Sequence, residues 1–75
     1  MMTSAELLDV IIARLIKGFG GTQRDWRRVV GPIKTYPQDT HAHCNWTIVP
    51  RGTPRENTIV ENLLDELRLT WPLVV

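Results

Sequence analysis

Residues 43–56, HCNWTIVPRGTPRE, decide the fold, because they hold one predicted strand, its end and the start of a helix. Residues 43–49 are rich in β-branched and aromatic side chains, which favours a strand. In an extended chain Cys44, Trp46 and Ile48 share one face, because successive side chains point to opposite sides. We expect that face to lie in the core.

The second half of this stretch contains the clearest local motif of the chain. Residues 50–52, Pro-Arg-Gly, break the strand. Thr53 then stands at the N-cap position, Pro54 at the first helical position, and a glutamate at the third, a pattern typical of a helix start. The second helix is therefore predicted to begin at Pro54. It should end near Thr70, because a proline two residues later disfavours helix before it.

Upstream, the first helix is predicted over residues Ser4 to Lys17. Thr3 and Glu6 form a capping box, in which each side chain satisfies the other's backbone N–H. Glycines follow the last apolar position and supply the stop. Val10 and Ile16 widen the apolar arc beyond the ~100° that packing on one surface requires. Part of this arc is expected to face a second subunit.

Between the helices, residues 26–36 lose the helical period and contain β-branched and aromatic side chains, which predicts an edge strand. Gly31 and Pro32 place a bend in it. Residues 37–40 supply turn chemistry before the strand at 43–49. The expected fold is therefore a single α+β domain over residues 1–75: a small two-layer α-β-β-α sandwich with both helices on one face of an antiparallel hairpin.

The predicted core consists of apolar positions that satisfy the helical or strand period. They are Leu8, Leu15, Trp46, Ile48, Val60, Leu63, Leu64 and Leu67. The apolar end, residues 71–75, should add a short third strand, pack against this core, or expose a patch that a partner covers.

Composition is ordinary for a globular protein, with 43% hydrophobic and 23% charged residues. Cys44 is the single cysteine, which excludes an internal disulfide and suits a reducing compartment, so a cytoplasmic location is expected. The longest apolar stretch is too short and too charged to span a bilayer, so no membrane role is expected. A 75-residue chain has a thin stability margin, and a two-stranded hairpin leaves open edges. These features favour a homodimer.

Asp39, His41 and His43 are the candidate metal ligands. If the segment is extended, the three side chains point the same way, and two imidazoles with a carboxylate could hold zinc. The favoured interpretation is plainer: Asp39 makes the turn, the histidines lie on a solvated face, and no metal or other cofactor is bound.

Cys44 beside histidines is also compatible with a nucleophilic thiolate. Strand alternation argues against this, because it places Cys44 opposite His43 on the buried face, where thiols are usually inert. A chain this short also has little room for a substrate cleft. No catalytic residue is therefore assigned, and the protein is expected not to be an enzyme.

The middle of the chain, residues 24–55, is basic, with six basic against two acidic side chains and a local net charge of +4, whereas the whole chain is only +1. Aromatic residues are interleaved with these cations, as on nucleic-acid-binding surfaces. Residues 51–55 also flank a helix start, where an anion could bind. The candidate nucleic-acid or anion contacts are Arg24, Arg27, Arg28, Lys34, Arg51 and Arg55.

The sequence thus favours a non-enzymatic interaction or structural module that self-associates, with an unidentified protein as a further partner class. One alternative is a nucleic-acid-binding domain that uses residues 24–55. The other is a small metal-binding protein that uses Asp39, His41 and His43. The near-neutral net charge and the absence of a second ligand pair place both below self-association.

Overall fold

Each helix of this protein begins at a threonine that caps it. In every case the threonine hydroxyl accepts a hydrogen bond from the backbone N–H three residues later, which satisfies one of the unpaired donors of the first turn. The computed structural model describes residues 2–75. Its helices are α1 (Ser4–Phe19), α2 (Gln23–Val30) and α3 (Pro54–Thr70).

The two helices predicted from the sequence are confirmed as α1 and α3. The former extends to Phe19, two residues past the predicted end, and stops at Gly20, whose φ of 77° suits a residue without a β-carbon. The latter begins at Pro54 and ends at Thr70, as expected. Both start with a complete capping box. Among residues 2–75, no helix combines the length and apolar character needed to cross a membrane.

The helix α2 corrects the predicted edge strand over residues 26–36, because residues 26–30 are helical. Trp26, Val29 and Val30 are buried, and their i, i+3, i+4 spacing places them on one helical face. Gly31 then ends the helix with a φ of 69°. Tertiary packing of this face outweighs the weak helix preference of tryptophan and valine.

The sheet is a short antiparallel hairpin. Strand β1 comprises Lys34–Thr35 and strand β2 comprises Trp46–Thr47, with Lys34 opposite Thr47 and Thr35 opposite Trp46. Each strand has two residues, far fewer than the predicted ranges 26–36 and 43–49. The α+β class is confirmed, with three helices rather than two.

The core gathers apolar side chains from all three helices, β2 and the C-terminal segment. Its buried members are Leu7, Ile11, Ile12, Leu15, Trp26, Val29, Val30, Trp46, Ile48, Val60, Leu64, Leu67 and Val74. Six of the eight predicted core positions are among them. Leu8 and Leu63, the other two, are only half-buried at the edge of the cluster.

The C-terminal segment, residues 71–75, packs down beside β2 and forms no strand. Asn45, only 3% exposed, donates from Nδ2 to the Val74 carbonyl and accepts the Val74 N–H at Oδ1, both at 2.8 Å. The Asn45 N–H donates to the Pro72 carbonyl, and the Trp46 indole N–H donates to the Trp71 carbonyl. One side-chain amide therefore does for this segment what a neighbouring strand's backbone would do.

Candidate functional site

A groove runs between α1 and α3 on the surface of the molecule. The Arg14 guanidinium on α1 meets the Glu66 carboxylate on α3 at 2.8 Å. Further along α1, Gly18 and Phe19 lie opposite the earlier part of α3, so the two helices are antiparallel. The groove has a volume of about 450 Å³, and we call it the α1–α3 groove. Its lining residues are Arg14, Gly18, Phe19, Ile59, Asn62, Leu63 and Glu66.

The floor and one end of the α1–α3 groove are apolar. Ile59 and Leu63 are half-buried and pack against the core. Phe19 remains 58% exposed in the last turn of α1, with its ring tilted against Trp26 at a centroid distance of 6.5 Å. Residues 17–20, at this end of α1, are all exposed, so the Phe19 side chain is not buried although it continues the apolar face of the helix. A large aromatic ring with a hydrophobic floor beside it is typical of a contact surface.

The two sides of the α1–α3 groove, which we call its lips, carry opposite charge. Arg14 is on α1, and Lys17 follows it on the same side of the helix one turn later. Glu66 is on α3, and Leu69 follows three positions on, 88% exposed. Val10, one turn before Arg14, is half-buried and belongs to the edge of the core. The groove is therefore charged at its Arg14–Glu66 end and apolar at its Phe19 end, and Val10 and Leu69 lie beyond the charged end, outside its lining.

The six basic candidates are distributed over several elements rather than gathered into one patch. Arg27 pairs with Asp9 at 3.1 Å, and Arg28 approaches Asp25 at 3.8 Å. Within residues 2–75, the remaining four make no ion pair. They are Arg24 on α2, Lys34 on β1, Arg51 in the β2–α3 loop and Arg55 on α3.

Arg28 and Arg51 are brought together in a second pocket, of about 410 Å³, at the N-terminus of α3. Thr53 and Glu56 also line this pocket. The Glu56 carboxylate already accepts the Thr53 N–H at 2.9 Å, which places a negative charge where an anion would bind. Arg55 lies on the other side of the same helix start, in a third pocket.

The metal candidates do not form the extended segment that the sequence interpretation assumed. Residues 38–40 form a turn, 42 and 43 bend, and Asp39, His41 and His43 are all exposed. The His41 ring stacks on Tyr36 at 4.4 Å. In the part of the chain from residue 2 onwards, no three His, Cys, Asp or Glu side chains are placed to hold a metal ion. The geometry thus gives the metal hypothesis no support.

Cys44 is half-buried, and its thiol donates to the Trp46 carbonyl at 3.4 Å. Trp46 and Ile48 are buried as predicted, so Cys44 lies at the edge of that face rather than within it. Strand alternation puts Asn45 on the face opposite Cys44, yet Asn45 is buried, and sequence reasoning missed its pairing with the C-terminal segment. No local motif marks such a long-range amide contact.

Phe19 and Leu69 are exposed large apolar residues that sequence reasoning missed. Phe19 continues the buried row of α1, which predicts burial rather than exposure. The glycines beside it were the available indication, because they end the helix close to that turn. Leu69 lies outside the apolar stripe of α3, and its exposure alone is common in proteins. Comparison with protein-family models, curated proteins and solved structures finds no match to this chain.

Proposed function

We propose that this protein is a non-enzymatic interaction module that self-associates. The observation that supports the proposal is the α1–α3 groove, with Phe19 58% exposed beside the half-buried Ile59 and Leu63. Covering these side chains removes apolar surface from water, which is the main driving force for association. Aromatic residues in such positions often carry much of the binding energy.

A second copy of this chain is the simplest partner, because a homodimer needs no other molecule. The 75-residue chain has a small core and a single cysteine, so subunit association is one of the few remaining ways to add buried surface. The wide apolar arc of α1 gives less support than the sequence indicated, because α2 packs against α1 and is tied to it by the Arg27–Asp9 pair. The exposed apolar surface lies at the end of α1, where Phe19 lines the groove with Ile59 and Leu63 of α3.

Sedimentation equilibrium across a hundredfold concentration range tests the proposal. We expect the average mass to rise from that of the monomer toward twice that value at micromolar concentrations. Association depends on protein concentration, because the dimer forms from two copies. A single species at the monomer mass throughout would contradict self-association.

We also propose that the fold has two layers and that the protein is located in the cytoplasm. Trp46 and Ile48 are buried on one face of the hairpin, whereas Lys34 on the opposite face is exposed, which supports a two-layer arrangement with the helices on one side of the hairpin. The free thiol of Cys44 supports a reducing compartment such as the cytoplasm.

Nucleic-acid binding is the second candidate, favoured by Arg28 and Arg51 in one pocket and by the nearby Arg55, which makes no ion pair among residues 2–75. The Glu56 carboxylate in the same pocket opposes it. Such binding should weaken steeply as salt rises, because it releases counterions from the phosphates. A fluorescence anisotropy titration of labelled single-stranded DNA and RNA at low and physiological salt would measure this. Unchanged anisotropy at low salt would remove this candidate.

A further inference from the structure

We infer that the α1–α3 groove is the contact surface between two copies, related by a two-fold axis that runs along the groove. Each copy then lays its α1 over the α3 of the other. The inference rests on the proposed self-association and adds the surface, the relative orientation and the pairs of residues in contact. An isologous arrangement of this kind uses the same patch twice and closes on itself.

The antiparallel course of α1 and α3 fixes which residues would meet. Arg14 lies level with Glu66, and the end of α1 lies level with Ile59. A two-fold rotation about an axis along the groove leaves the position of each residue along that axis unchanged, and it places α1 of one copy over α3 of the other. Arg14 therefore meets the partner's Glu66, and the end of α1 at Gly18, one turn after Arg14 on the same face, comes over the partner's Ile59.

One turn away from the charged level, the same rotation brings Val10 over the partner's Leu69. Val10 precedes Arg14 by four positions and Leu69 follows Glu66 by three, so each lies about one helical turn, ~5.4 Å, from the Arg14–Glu66 pair, just beyond the charged end of the groove. An apolar contact here would cover the Leu69 side chain, which is 88% exposed in the single copy.

Charge complementarity selects this orientation over the main alternative. With the axis along the groove, the basic lip of each copy faces the acidic lip of the other, and the two Arg14–Glu66 pairs become a network of four alternating charges. With the axis across the groove, α1 lies on α1 and α3 on α3, so lips of like charge come together. The first arrangement is also the antiparallel four-helix packing common in proteins.

Exchanging the two charges between copies tests the orientation. Arg14→Glu alone and Glu66→Arg alone place like charges at the contact, so each variant should dimerise about tenfold or more weakly than the original chain. A mixture of the two variants should recover a heterodimer, because each copy then supplies the charge that the other lacks. Native mass spectrometry of the variants, distinguished by isotope labelling, measures all three species.

The exposed leucine provides a second test with a matched control. Leu69→Lys should abolish dimerisation while the far-ultraviolet circular dichroism stays unchanged, because this side chain is 88% exposed in the single copy. Val49→Lys alters an exposed apolar residue elsewhere, just after β2, and should leave the dimer intact. Both proteins are compared by sedimentation equilibrium.

The outcomes separate this inference from the proposed function. If the original chain is monomeric throughout, self-association itself fails. If it dimerises but the charge variants do not prefer each other, or Leu69→Lys dimerises normally, the interface lies elsewhere and the inference is overturned while self-association stands. A dimer lost instead on Thr35→Pro would place the contact on the β1 edge, where proline removes a ladder donor.

Discussion

Asn45 is buried at 3% exposure, and its amide pairs with both polar groups of the Val74 backbone. We predict that Asn45→Ala lowers the free energy of unfolding by about 1–3 kcal/mol, because the buried Val74 N–H loses its acceptor, whereas the Val74 carbonyl keeps the Gln38 side-chain donor at 3.3 Å. Urea denaturation followed by tryptophan fluorescence measures the change. His43→Ala, two residues away at an exposed position, should change stability little. Equal effects of the two substitutions would contradict the role assigned to Asn45.

Gly52 is the second residue whose identity the packing demands. A β-carbon there would come within 2.8 Å of the Val29 Cγ1 and 2.9 Å of the Glu56 Cβ. We predict that Gly52→Ala destabilises the protein by about 1–3 kcal/mol through this overlap. Gly18→Ala is the matched control, since nothing lies within 4 Å of its added carbon, and it should stabilise α1 by up to about 1 kcal/mol. Thermal unfolding of both proteins would decide, and a stabilising Gly52→Ala would refute the close approach.

At the scale of the elements, the caps are the features most open to prediction from sequence. Thr53 accepts the Glu56 N–H, and Glu56 accepts the Thr53 N–H in return. We predict that Thr53→Ala costs about 1 kcal/mol of stability, because a helix-start donor loses its acceptor. Thr58→Ala alters an exposed threonine inside the same helix and should be neutral or slightly stabilising. Identical denaturation midpoints for the original chain and Thr53→Ala would show that the cap contributes nothing.

The helix α2 is the element that could not be predicted from the sequence. The helices α1 and α3 could be predicted because their caps and apolar rows agree, whereas α2 combines a short length with residue types that favour strands. The overlooked indication was Thr22 followed by Asp25 three positions later, a helix-start pattern with the buried Trp26 directly after it. Eight residues are too few for helical preference alone to prevail, so packing against α1 decides this element.

At the scale of the whole molecule, the candidate site depends on which helix faces remain uncovered. The opposite charges of Arg14 and Glu66 are visible in the sequence, but their meeting across a groove follows only from the antiparallel packing of α1 and α3. Phe19 likewise lies at the end of α1, where residues 17–20 are all exposed. Local periodicity specifies a face and not its neighbour, which is why the sequence indicated the apolar arc of α1 and the hairpin edge as surfaces for self-association and not the α1–α3 groove.

The central claim is that two copies meet through the α1–α3 groove. The most direct measurement is a concentration series of ¹⁵N-labelled protein, in which backbone amide shifts are followed from the dilute monomer to the associated form. The account predicts that the largest changes cluster at Arg14, Phe19, Ile59, Glu66 and Leu69, while Lys34 and Thr35 on β1 stay constant. Shifts that do not depend on concentration, or changes centred on β1, would contradict it.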